Sequence, residues 1–373
     1  MSRGYLATRW DRLNAPPRIL GVDLARSLAV LGMFAAHLLW IRGPVELAEP
    51  ASWLAVVQGR SSILFAVLAG VSIGLVTGGR VPLAGDAAAT ARLRLVVRAF
   101  VLWLLGILLI LTGVPVFVIL PAYALLFLVA VPLTRLTAPT LLVLAAGLAL
   151  VMPFVQVALD ALPLWSMIGG HELALAIGWH YPFTTWIAFV AAGMGAARAG
   201  VTRRHVQWWL LGAGGALAAL AYGLHAASGA DEQSEAMSYL GAVWTARPHS
   251  SGLLEAVGSG GFALAVLGAS LLVCRTVVRW AVLPLRAVGA MPLTAYTLQL
   301  VVWAIIASVV LGDSGDLSGF RDLEPFWPLT LGTVVFCTAW ALLVGRGPLE
   351  AAVDRVARLT VRDAPARAAA PRR

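Results

Sequence analysis

Three ionisable residues fall inside one apolar stretch near the N-terminus: Asp23, Arg26 and His37. Charges and imidazoles in a lipid-facing run are costly, and where they persist they usually line a path or a site. If the stretch is helical, the eleven residues from Arg26 to His37 bring the two side chains to within roughly 20° of one face, ~16 Å apart along the axis. Asp23 lies one turn before Arg26 on the same stripe. One face then carries an acid and a guanidinium towards one end and an imidazole towards the other. A guanidinium suits phosphate or carboxylate, and an imidazole suits proton abstraction. The plainer reading is a local Asp23–Arg26 ion pair and a hydrogen-bonded packing role for His37.

Other basic residues extend the pattern. Arg60 stands in Gln58-Gly59-Arg60-Ser61-Ser62, ~12 Å inside the second apolar stretch when counted from Ser52. There it could stabilise an oxyanion beside His37, or extend towards Glu46 or Glu49 at the surface. Arg92, Arg94 and Arg98 cluster before the third apolar stretch, where three guanidiniums could hold phosphates. They would equally serve membrane orientation. Pro248-His249-Ser250 with Glu255 reads as a loop at the mouth of another stretch, and His171, His180, His205 and His225 receive no role.

These residues need a membrane to position them. The chain of 373 residues is 60% apolar and 12% charged, with a mean hydropathy of +0.87. That is too much apolar surface for a soluble domain of this length. Apolar runs of spanning length fall at 19–41, 52–76, 95–112, 114–134, 139–159, 181–197, 206–225, 252–273, 287–311 and 326–345. The fold class is therefore all-α, a polytopic bundle of about ten transmembrane helices. The 27 basic residues are all Arg, and most fall in loops on the side of the N-terminus, while Asp and Glu collect opposite. By the positive-inside rule both termini face the cytoplasm and the protein is a multi-pass protein of the cell membrane. The Arg excess follows topology and does not imply nucleic acid. Residues 1–18 form a polar cytoplasmic segment without a cleavable signal, 19–361 the membrane domain, and 362–373 a disordered tail rich in Ala, Pro and Arg. Cys274 and Cys337 match no metal-ligand spacing, so neither a metal nor a disulfide is expected.

The stretch Gly21-Val22-Asp23-Leu24-Ala25-Arg26, continued to His37, resembles the first-span signature of the transmembrane acyltransferase superfamily, best known from acyltransferase family 3: Asp, then Arg, ten residues, then His. Further stretches resemble the heparan-α-glucosaminide N-acetyltransferase and YeiB-like branch. They are Tyr181-Pro182-Phe183-Thr184-Thr185-Trp186 leading to Gly193 and Arg198, Leu285-Arg286 through Met291-Pro292 to Tyr296 with Gln299, and Gly347-Pro348-Leu349-Glu350. The similarity runs from about residue 19 to 360. It implies transfer of an acyl group, usually acetyl, from cytoplasmic acyl-CoA to an acceptor on the outer face. Within it His37 matches the catalytic His and Arg26 the Arg linked with donor binding. One departure is the loop 42–51, where the heparan branch carries a His and this chain has none. Either His37 takes the role or the chemistry is lost.

The expected mechanism places the coenzyme A phosphates among Arg26, Arg92, Arg94 and Arg98, beside Asp23, and runs the pantetheine arm along the first helix. His37 acts as general base on a hydroxyl or amine, and Arg60 stabilises the oxyanion. Partners are the lipid bilayer, acetyl-CoA or another acyl-CoA, and an outer-face sugar, glycolipid or amine. The competing readings are a transporter or flippase for an anionic or lipid-linked solute, and an inactive envelope scaffold.

Overall fold

A computed structural model of the chain describes residues 3–41, 43, 45, 48–229 and 238–361. The sequence expectations for Glu46 and the tail 362–373 lie outside the described residues. Among the described residues the regular structure is entirely helical. The apolar helices in chain order are α1 (Leu20–Leu38), α2 (Arg60–Val76), α3 (Gly85–Ile110), α4 (Leu120–Leu133), α5 (Ala138–Asp160), α6 (Phe183–Ala199), α7 (Arg204–Ala227), α8 (Leu253–Val273), α9 (Pro292–Val310) and α10 (Phe326–Leu343). Eight of the apolar stretches are long enough to cross a membrane; α4 and α6, at 14 and 17 residues, fall short of that length. The chain segments preceding those two supply the missing depth without helix. Pro115, Val116 and Phe117 precede α4, His180 and Tyr181 precede α6, and all five line a cavity. Non-helical backbone at membrane depth is tolerated in that situation.

Burial explains which helices carry polar residues. α1 is the least hydropathic of the spanning candidates, yet 67% of its apolar window is buried, against 11% for α7. The polar groups of α1 face protein rather than lipid. α2 and α6 cross closely at two glycines: a Cβ on Gly70 would meet the backbone of Val190, and one on Gly193 the backbone of Val67. Small residues at such crossings let backbones pack where no hydrophobic drive separates helix from lipid.

Three expected spans are interrupted. The stretch 52–76 begins as a 3-10 turn, Pro50–Val57, and turns at Gly59, whose φ of 68° suits glycine. The stretch 114–134 becomes helical only from Leu120. The stretch 287–311 divides into Leu283–Gly289 and α9, because Met291 precedes a proline and leaves the helical region.

Two flanking helices, Arg3–Asn14 and Pro348–Thr360, lie on the face where α1 begins, called here the near face; α1 ends at the far face. Trp10 stacks on Trp280 at 5.8 Å, and Trp340 donates to the carbonyl of Arg346. The Pro348–Thr360 helix is clamped through Asp354, which accepts hydrogen bonds from Arg98 at 2.7 Å and from Arg346 and Arg358 at 2.8 Å each. Burial alone would raise this carboxyl, but the guanidiniums of Arg346, Arg358 and Arg98 outweigh it and hold the group well below the usual carboxylate range. A depressed carboxylate contributes stability above its unfolded pKa and loses it only as pH falls through the folded value. Limited proteolysis should therefore find this helix docked from neutral pH down past pH 4. In Asp354→Asn it should be cleaved at neutral pH, and equal protection in the variant would remove Asp354 as the clamp.

Candidate functional site

The two ends of α1 open into two cavities. The near cavity, about 710 Å³, is lined by Arg9, Arg12, Arg18, Arg26 and Arg346, with Glu350 as the one acid among the described residues. Arg9 and Arg12 come from the Arg3–Asn14 helix, Arg26 from α1, and Arg346 from the loop after α10. Glu350 is committed to the start of α9. It accepts from the backbone N–H groups of Leu293 at 2.8 Å and Thr294 at 3.1 Å, and from the Thr294 hydroxyl at 2.6 Å. Asp23 is buried behind the cavity. Arg18 bonds it directly, and Arg26 Nη1 reaches it at 3.3 Å while Arg26 Nη2 donates to Ser72 Oγ at 2.7 Å. Two guanidiniums share this carboxylate, so the cavity keeps an excess of positive charge suited to phosphate.

The far cavity, about 530 Å³, is lined by His37, His180, His249, Tyr181, Arg247 and Arg321, together with apolar groups and the backbone around Gln58 and Gly59. Arg321 closes the end of α1: its Nε donates to the carbonyl of His37 at 2.9 Å and its Nη2 to that of Ala36 at 3.3 Å. A cation at a helix C-terminus meets both free carbonyls and the helix dipole. The His37 ring is fixed from α9, with Gln299 Nε2 and His37 Nδ1 3.3 Å apart.

The opposite wall is built from two more imidazoles. His180 stacks on Phe117 at 3.8 Å between ring centres, and His249 tilts against His180 at 4.7 Å. Buried Glu255, at the start of α8, sets the His249 loop. It accepts from the N–H groups of His249 and Ser251, each at 2.6 Å, and from the Ser250 hydroxyl at 3.2 Å. Both His249 and Ser251 have positive φ, 63° and 54°, which non-glycine residues adopt only when their surroundings impose it. Burial, and after it His180 and His37, lower His249 to about 3.

A thin partition separates the cavities. Tyr123 lines the near one and Ser62 the far one, and the Tyr123 hydroxyl donates to the Ser62 carbonyl at 3.5 Å. Tyr123 is braced by Phe65, 5.2 Å away between ring centres.

The structure brings together only part of the residue set expected from sequence. Arg26 and His37 lie at the two cavities as the helical stripe implies, with Asp23 behind Arg26. Arg60 points elsewhere: its Nε donates to Tyr222 Oη at 2.7 Å, its Nη1 to the Ala55 carbonyl at 3.2 Å, and its guanidinium lies 4.6 Å over the Tyr222 ring. Arg60 does not line the far cavity, although Gly59 and Ser62 do. Arg92, Arg94 and Arg98 fall within α3, which starts ten residues before the expected span. Arg92 bonds Thr134 at 3.0 Å, Arg94 the Val361 carbonyl at 3.1 Å, and Arg98 bonds Asp354. None of the three lines the near cavity. Arg9, Arg12, Arg18 and Arg346 stand there instead. For Arg9, Arg12 and Arg18 the signal in the sequence was the Arg density of residues 1–18, which topology alone already accounts for; Arg346 carried none. His180 carried no signal beyond residue type, and His249 was read from sequence only as part of a loop with Glu255 behind it. Both cysteines are buried and unbridged. Among the described residues no group of three or more His, Cys, Asp or Glu is placed to hold a metal ion.

Two families match the chain. The one described as "Heparan-alpha-glucosaminide N-acetyltransferase, catalytic" covers residues 18–226, more than half of the chain and the whole of α1 to α6. The one described as "Protein of unknown function (DUF418)" covers residues 195–360. No curated protein and no solved structure matches.

Proposed function

Because the chain belongs to the heparan-α-glucosaminide N-acetyltransferase catalytic family, we propose that it moves an acetyl group from a coenzyme A thioester in the near cavity to an acceptor in the far cavity. The near face is cytoplasmic in this reading. The observation that carries it is the pair of cavities at opposite ends of α1, one rich in guanidinium and the other in imidazole. Coenzyme A is an anion at one end and a neutral thiol arm at the other. Its phosphates suit Arg9, Arg12, Arg18, Arg26 and Arg346. Its arm would follow α1 past Ser72 and displace the Tyr123–Ser62 contact, bringing the acyl carbon to the level of His37. The ~16 Å rise between Arg26 and His37 is comparable to that arm.

His37 then takes the proton of an acceptor hydroxyl or amine as that group attacks the thioester carbonyl. The new C–O or C–N bond forms, the C–S bond breaks, and the thiolate leaves towards the near cavity to be protonated there. The acceptor rests against Phe117, His180, Tyr181 and His249. Arg321 and Arg247 are nearer to the far-cavity chemistry than Arg60 and suit the oxyanion better.

Titration calorimetry with coenzyme A should show saturable binding to the purified protein; no heat of binding would remove the donor site. Sidedness is tested separately. Reporter fusions at Thr112, Gly229 and Asp316 should read outside, and a fusion after Arg358 should read inside. An external C-terminus would reverse the direction of transfer.

A further inference from the structure

Gln299 is almost fully buried, at 1% exposure, and its amide lies against Nδ1 of His37, a residue that lines the far cavity. A neutral imidazole carries its proton on one nitrogen, and the contact made by the other side of the ring decides which. We infer that Gln299 is a positioning residue that keeps the proton of His37 on Nδ1, leaving the Nε2 lone pair directed into the far cavity. This rests on the proposed acyl transfer, in which His37 must accept a proton.

The amide can do this because its two ends are interchangeable. With Nε2 of Gln299 against Nδ1, the ring proton must sit on Nε2 and His37 can only donate into the cavity. In that rotamer Gln299 Oε1 is buried without a hydrogen-bond partner. A half-turn of the terminal torsion presents Oε1 to Nδ1–H instead. One hydrogen bond replaces another of the same kind, the end of the amide left without a partner changes from Oε1 to Nε2, and the proposed base role requires the exchange. The neighbouring contacts leave the ring little other freedom. Arg321 fixes the backbone carbonyl of His37, and Trp303, one turn beyond Gln299, is fully buried and stacked on Phe320 at 4.7 Å. Among the described residues no carboxylate is hydrogen-bonded to His37, so the amide occupies the place that an acid holds in other imidazole bases.

Two near-isosteric variants separate an acceptor at this position from mere space-filling. Gln299→Glu keeps an oxygen for Nδ1–H, and Gln299→Met keeps the volume without it. Gln299→Met should lower kcat by ~10²–10⁴-fold, the range for a displaced general base, with the donor KM within a few-fold of wild type. Gln299→Glu should stay within ~10-fold of wild-type kcat. Thermal unfolding of both variants checks the fold. Nitrogen spectra of histidine-labelled protein, with the His37 signals identified by their loss in His37→Ala, give a readout independent of turnover. They should show Nδ1–H and bare Nε2 in wild type and a mixture in Gln299→Met. Full kcat in Gln299→Met, or a folded Gln299→Glu as inactive as Gln299→Met, would overturn the assignment, as would a wild-type spectrum with the proton on Nε2. An Nδ1–H spectrum in a protein that transfers no acetyl group would instead refute the acyltransferase reading and leave the positioning of His37 intact.

Discussion

His37→Ala is expected to reduce acetyl transfer by ~10²–10⁴-fold, the usual contribution of one positioned general base. Folding and donor binding should be kept. His37 is partly exposed and lines the far cavity, and among the described residues its side chain makes one hydrogen bond, with Gln299. Its removal therefore leaves no buried charge, and the Arg321 bonds to the Ala36 and His37 carbonyls survive because they are made by backbone. The loss should appear in kcat. Replacing His249 provides the contrast. That imidazole lies across the cavity on a loop held by Glu255 through backbone groups, so His249→Ala should weaken acceptor use more than donor use. If His37→Ala retains full turnover while His249→Ala abolishes it, the base belongs on the outer wall and the role proposed for α1 fails.

Arg26→Ala should raise the donor KM by roughly ten- to a hundred-fold, the equivalent of ~1.5–3 kcal/mol for one charge-assisted contact. An interaction made equally in ground and transition states changes KM and leaves kcat nearly alone. The alternative is that Arg26 merely neutralises Asp23, and stability and affinity together separate the two. Arg18 also bonds Asp23, so deleting Arg26 does not strand the carboxylate, and the melting temperature should fall little. Asp23→Asn combined with Arg26→Ala should then bind coenzyme A as weakly as Arg26→Ala alone. A calorimetric affinity unchanged in Arg26→Ala, or a double variant that recovers wild-type binding, would assign Arg26 to the ion pair only.

The membrane fold was legible because its signals are long and redundant: runs of apolar residues, and arginines that sort to one side in loop after loop. The stripe from Asp23 to His37 was legible for a related reason, since helical period fixes relative direction once a helix is granted. What escaped were properties set by tertiary neighbours. Arg60 has the right depth for the far cavity, yet Tyr222 on α7 draws its guanidinium away. Arg92, Arg94 and Arg98 resemble a phosphate cluster in sequence, but α3 continues past the expected span and spreads them over Thr134, the Val361 carbonyl and Asp354. Beside Arg26, the near cavity takes Arg9 and Arg12 from a flanking helix and Arg346 from a loop distant in sequence, and positive-inside bias gave them a sufficient explanation beforehand. His180 and His249 meet only because two non-helical segments converge above α6 and α8, and no local pattern announces that convergence.

The central claim is that donor and acceptor meet across the Tyr123–Ser62 partition. An experimental structure with a non-transferable acetyl-CoA analogue tests it most directly. The phosphates should lie among Arg9, Arg12, Arg18, Arg26 and Arg346, with the arm along α1 and the acyl carbon within hydrogen-bonding range of His37. An analogue seated in the far cavity with its phosphates at Arg247 and Arg321, or a coenzyme that stops in the near cavity with the Tyr123–Ser62 contact intact, would contradict it.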